Sequence, residues 1–107
     1  MRLLLDECVP RKLKDALPGH EVRTAREMGW SGLGNGELLA RMRAQRFEAF
    51  LTVDQNVEFQ QNVKESGIAV IVLAARTSRL KELRPLAPAI LRTLLTIRPG
   101  TIERVTG

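Results

Sequence analysis

Apolar residues in this chain fall into short blocks of two kinds. Leu3-Leu4-Leu5, Phe50-Leu51-Thr52-Val53 and the stretch 68–73 are continuous runs of a few residues, the last nearly all apolar and β-branched. Runs of that length and composition read as strands buried on both faces. Between them the spacing becomes helical. Val9, Leu13, Ala16 and Leu17 share one face, Leu38, Leu39 and Met42 share another, and Ile90, Leu91, Leu94 and Leu95 a third. The pattern predicts strands at 2–5, 21–24, 49–53, 68–73 and 101–105. It predicts helices from Pro10 to the Pro18-Gly19 stop, from Glu37 onward, over 57–65, over 79–84 and through 90–95, with one further helical turn at 25–28.

Breakers and caps fit that order. Pro10 suits a first helical turn, where a missing N–H costs nothing. Pro18-Gly19 and Arg98-Pro99-Gly100 read as stops and turns, and Pro85 or Pro88 as a break in the helical path. Gly29, Gly32, Gly34 and Gly36 make the stretch 29–36 a loop, with Asn35 as N-cap of the next helix. Strands alternating with helices predict an α/β protein: a three-layer α/β/α sandwich around a mainly parallel five-stranded sheet. No repeat, linker or low-complexity tract divides the 107 residues, so residues 1–107 read as one domain.

In such a sheet, ligands bind beyond the carboxyl ends of the strands. Asp6-Glu7 follows the first apolar run, and Asp54-Gln55-Asn56 follows the third predicted strand. Glu37 opens a helix after the glycine-rich loop, which lets backbone and ligand approach closely. If these strands are neighbours, Asp6, Glu37 and Asp54 converge on one edge. An acidic cluster there needs a cation, and Mg²⁺ or Mn²⁺ suits an oxygen-only set. Each acid also has a structural explanation: an Asx turn for Asp6, the helix dipole for Glu37, a cap for Asp54 and Asn56. Glu7, adjacent to Asp6, points elsewhere in an extended chain.

Charge adds to this picture. The chain carries 17 basic and 12 acidic residues, a net charge of +5, and 13 of the 17 are Arg. Arg binds phosphate bidentately, so the bias favours nucleic acid or another polyanion as strongly as it favours a merely soluble surface. Arg11, Lys12 and Arg76 fall near the proposed edge and are candidates for flanking phosphates. Trp30, Phe47, Phe50 and Phe59 are the only aromatics, too few for a stacking platform. One histidine, His20, excludes a Ser-His-Asp triad of the usual placement and a His-rich metal site. Cys8 lacks a histidine nearby in sequence and reads as a buried structural thiol. No Walker or dinucleotide fingerprint is present. No apolar run approaches the roughly 20 residues of a spanning helix. The first apolar run is too short for a signal-peptide core and a single cysteine cannot form an internal disulfide, which points to the cytoplasm.

The ordered motifs Leu4-Leu5-Asp6-Glu7 with Val9-Pro10, Gly19-His20-Glu21-Val22, Asn35-Gly36-Glu37-Leu38-Leu39 and Leu51-Thr52-Val53-Asp54-Gln55-Asn56 resemble the small PIN-like domain proteins. The stretch Phe59-Gln60-Gln61-Asn62 resembles one subgroup of them. The resemblance spans nearly the whole chain, and the ordered set is more specific than any one motif. It implies an α/β/α nuclease fold in which acids at strand ends bind Mg²⁺ or Mn²⁺ and hydrolyse RNA. Asp6, Glu37 and Asp54 match the acidic positions. Asn56 and Asn35 stand where relatives often carry Asp, so the resemblance implies a site of reduced charge, with weaker metal binding or a single metal. It also implies the toxin role of a toxin–antitoxin pair, with a small antitoxin protein as partner.

Under this reading Asp6 and Asp54 bind the metal, Glu37 completes the shell or orients the attacking water, and Asp6→Asn abolishes cleavage with a melting temperature unchanged or raised. Two alternatives remain open on sequence. A receiver-like phosphoacceptor module would also place acids after strands one and three, although no lysine follows Lys81. An inactive PIN-like protein that binds RNA or a partner would use the same fold without chemistry. A homodimer through 86–95 competes with the core as an explanation for that apolar stretch.

Overall fold

The computed structural model describes residues 1–55 and 60–106. Five short strands, β1 (Arg2–Leu5), β2 (Glu21–Thr24), β3 (Ala49–Thr52), β4 (Ala69–Ala74) and β5 (Ile102–Thr106), form one sheet. All pairings are parallel, in the order β2-β1-β3-β4-β5. Parallel strands need crossovers, and these supply the outer layers. α1 (Asn35–Ala44) and α2 (Gln60–Ser66) are joined by α3 (Leu80–Leu83) and α4 (Ala87–Thr96), with a 3₁₀ segment at Arg11–Ala16 and a 3₁₀ turn at Arg84–Leu86.

Alternation along each strand divides the core in two. Leu3, Leu5, Leu51, Ile71 and Leu73 face the layer that contributes Leu13, Leu17, Leu83 and Ile90. Leu4, Phe50, Val70 and Val72 face the layer of Trp30, Leu38, Leu39, Met42 and Val63. Both clusters are buried. A sheet with apolar side chains on both faces must be covered on both, which produces the three-layer α/β/α sandwich expected from the sequence.

Local departures have physical reasons. The segment after Pro10 forms 3₁₀ turns, with Leu13 N–H donating to the Pro10 carbonyl at 3.1 Å and Leu17 N–H to that of Lys14 at 3.1 Å. It is only six residues long, too short to reward α-helix nucleation. Residues 25–29 form turns rather than a helix. Asn35 is the first residue of α1, and the N-cap is Gly34, with no side-chain cap bond; Asn35 therefore does not act as the expected cap. Pro88 starts α4 instead of breaking it, since the first helical N–H groups have no intrahelical acceptor. Ile90 and Leu94 face the sheet, but Leu95, next round the helix, is 83% exposed. The stretch 86–95 is thus mostly core. Among the described residues no helix is long and apolar enough to cross a membrane.

Candidate functional site

The chain passes from β1 to β2 on one side of the sheet and reaches β3 on the other side of β1. The carboxyl ends of β1 and β3 therefore flank the point where strand order reverses, the place where open parallel sheets bind ligands. Leu5 is in register with Leu51, and Asp6 N–H donates to the Leu51 carbonyl at 2.9 Å. The pairing brings the next residues, Asp6 and Thr52, side by side. The Thr52 hydroxyl, on a residue only 1% exposed, donates to Asp6 Oδ2 at 2.6 Å. Glu7 N–H donates to Asp6 Oδ1 at 2.8 Å. The Asp6 carboxylate is half-buried and fixed in orientation by donors from β3 and from the turn after β1. Thr52 also accepts the Asp54 N–H at 3.1 Å. One hydroxyl thus links the first acid to the backbone of the second.

Asp54 is exposed and lies two residues past the end of β3. Gln55, beside it, ties strand ends together. Its amide donates to the carbonyls of Val53 at 3.2 Å and Leu73 at 3.1 Å, and its side-chain oxygen accepts from Arg104 of β5. Asn56 and Phe59 lie outside the described residues.

Cys8 donates its thiol to Asp6 Oδ2 at 3.6 Å. The residue is exposed, not buried as expected. Local desolvation first, and the Asp6 charge second, push its pKa up, so the thiol stays protonated and is a poor nucleophile.

Glu37 sits in the first turn of α1, exposed, and pairs with Arg41 one turn on at 3.2 Å. Among the described residues no group of three or more His, Cys, Asp or Glu is arranged to hold a metal ion. Asp6, Glu37 and Asp54 therefore do not form such a group as they stand. The Asp6 carboxylate at the end of β1 and the exposed Asp54, whose backbone is tied to Asp6 through Thr52, offer oxygen donors only. That fits a hard cation that keeps several waters and shares substrate phosphate oxygens; it does not fit a cage built wholly from protein.

Of the candidate phosphate-binding residues, Arg11 lies beside Asp6, on the wall of a cavity of ≈ 360 Å³. Lys12 borders a separate surface cleft with Lys14 and Asp15. Glu7 is exposed beside Asp6, and Arg76 is exposed two residues past β4. The residues missed on sequence are Thr52, Gln55 and Arg26, which shares the cavity wall with Arg11. Arg26 lies inside Thr24-Ala25-Arg26-Glu27, a capping-box pattern whose Thr and Glu bond each other's backbone at 3.0 and 2.9 Å. That pattern was visible in the sequence. No family model, curated protein or solved structure matches the chain.

Proposed function

We propose that the chain is a cytoplasmic, metal-dependent endoribonuclease of PIN-like type, the toxin of a toxin–antitoxin pair. The observation that carries this reading is the Asp6 carboxylate at the strand-order reversal, oriented by Thr52 and linked through it to Asp54. The ordered motifs of the chain and its arginine excess support the same reading. Asp6 and Asp54 would hold Mg²⁺ or Mn²⁺, which when bound supplies Lewis-acid activation of water and offsets charge building on the phosphate. Thr52 holds the Asp6 carboxylate in one orientation, as an orienting partner of a metal ligand does. Glu37 would join only by giving up its pair with Arg41. Arg11 and Arg76 would hold flanking phosphates, and the partner of such a toxin would be a small antitoxin protein.

The test is cleavage of labelled RNA with Mn²⁺, with and without chelator, by wild type and Asp6→Asn purified free of host RNase. The variant should lose at least about 100-fold in rate. Undiminished cleavage overturns the site. The same substitution removes a charged acceptor of three donors, so stability should fall by about 1 kcal/mol and the melting temperature with it, rather than stay unchanged or rise as the sequence alone suggested.

A second reading has one observation in its favour. The strand order matches the flavodoxin-like order of receiver modules, and Asp54 follows β3. The cation such chemistry needs is absent as a lysine after Lys81. A stable added phosphate in an intact mass spectrum, after incubation with a small phosphodonor and Mg²⁺, would favour this reading over the nuclease.

A further inference from the structure

The sheet edge has a second opening, between the ends of β1 and β2. The ≈ 360 Å³ cavity there is walled by Asp6, Glu7, Pro10, Arg11, Arg26 and Glu27, among others. It lies at the lower end of the range, about 300–1,000 Å³, typical of small-ligand sites. Its rim is held in place. The side chains of Thr24 and Glu27 each accept the other's backbone N–H, and Lys14 of the 3₁₀ segment donates to both Glu27 oxygens at 2.9 and 3.2 Å. These contacts join the two pieces of chain that form opposite walls.

The cations around this rim are not equivalent. Lys14 is neutralised by Glu27. Among the described residues, neither Arg11 nor Arg26 has an ion-pair or hydrogen-bond partner for its guanidinium. Two open guanidinium forks on a braced rim match a phosphate, which accepts bidentate bonds. A bare anion would also meet the carboxylates of Asp6, Glu7 and Glu27. The walls therefore favour a ligand with one anionic end and a neutral, hydrogen-bonding body. Pro10 offers that body an apolar surface, and the exposed Glu7 carboxylate offers an acceptor for amino or hydroxyl groups.

We propose that this cavity is the subsite for one nucleotide of single-stranded RNA, next to the phosphate that a cation bound at Asp6 would hold. Arg11 and Arg26 bind the phosphate on its far side, Pro10 packs against base or ribose, and Glu7 accepts from the sugar hydroxyl or a base amino group. The choice of RNA as the polymer rests on the ribonuclease reading; the nucleotide-sized site rests on the cavity.

The test is fluorescence anisotropy with a fluorescein-labelled single-stranded oligoribonucleotide in EDTA, which reads binding without cleavage. Arg11→Ala/Arg26→Ala should raise Kd about tenfold or more, and Arg92→Ala, an exposed arginine on α4, less than about twofold. The exposed, unpartnered arginines leave the melting temperature unchanged when removed. Weakening by the double variant no greater than the square of the Arg92→Ala fold-change would reduce the effect to net charge and overturn the subsite. In competition, adenosine monophosphate should displace the probe from wild type at concentrations where inorganic phosphate does not. Equal displacement would leave a simple anion site and overturn the nucleotide assignment. If the double variant loses binding while wild type never cleaves RNA, the subsite stands and only the nuclease reading falls.

Discussion

Two acidic positions that look alike in sequence have different surroundings in the fold. Asp6 and Glu37 each follow a loop or strand end and each precede an apolar face. Asp6 is gripped by a buried hydroxyl from a strand 46 residues away. Glu37 is held only by its own helix, through an exposed partner four residues on. The first contact exists because sheet register places Thr52 beside Asp6, so no side-chain movement is needed to form it. The second is an i,i+4 surface pair, worth a few tenths of a kcal/mol and easily exchanged. An acid fixed by long-range register is preorganised for chemistry; an acid fixed by its own helix is available but uncommitted.

The largest test of this difference is Thr52→Val. It keeps the β-branched shape but removes the hydroxyl that orients Asp6 and accepts from Asp54. Cleavage and Mn²⁺ affinity should fall about 10–100-fold, the usual cost of losing an orienting partner. Stability should fall by about 1–3 kcal/mol, because the Asp54 N–H loses its acceptor and Asp6 its shortest donor. Thr52→Ser should restore most of both, and a Val variant as active as wild type would break the link between grip and chemistry. Glu37→Gln should be milder, lowering cleavage less than about tenfold and stability by no more than about 0.5 kcal/mol. A loss as large as that of Asp6→Asn would show that α1 brings Glu37 into the site when substrate binds.

The smallest effect belongs to Glu27, whose surroundings combine the two situations: exposed, yet held across elements. The Lys14 hydrogen bond first, then the Thr24 N–H, hold its carboxyl below the ordinary value of 4.5. A carboxylate depressed on folding contributes stability above its unfolded pKa, and that contribution is lost as pH falls through the folded value. Thermal melts of wild type and Glu27→Gln should therefore differ well above pH 4.5 and converge in more acidic buffer. A gap that persists unchanged in acid would mean that the carboxylate charge is not what braces the rim.

Much of the fold was legible because burial writes itself into the chain. Runs such as Leu3-Leu4-Leu5 and Ala69–Ala74 are apolar at both parities, which only a strand covered on both faces requires. The acids at strand ends followed from those runs. Thr52 was not legible, because threonine is an ordinary strand residue and its partner becomes visible only when β1 and β3 are set in register. The pairing of Glu37 with Arg41 could have been read from spacing alone, since the two stand one helical turn apart. Asn35 misled because a good capping residue followed a glycine that took the cap position itself. The 3₁₀ character of Arg11–Ala16 depends on how little chain separates Pro10 from the next stop.

Among the described residues the sheet contains no hairpin. Every strand pairing spans a crossover, and β1 meets the central strand β3 only after more than forty intervening residues have been synthesised and folded back. Local contacts alone cannot nucleate such a sheet, and loop-closure entropy must be overcome before its long-range pairs form. The Asp6–Thr52 bond lies at the end of one of those pairs. Refolding should therefore be slow for a chain of this size, and the site should assemble with the rate-limiting step, leaving partly folded chains without it.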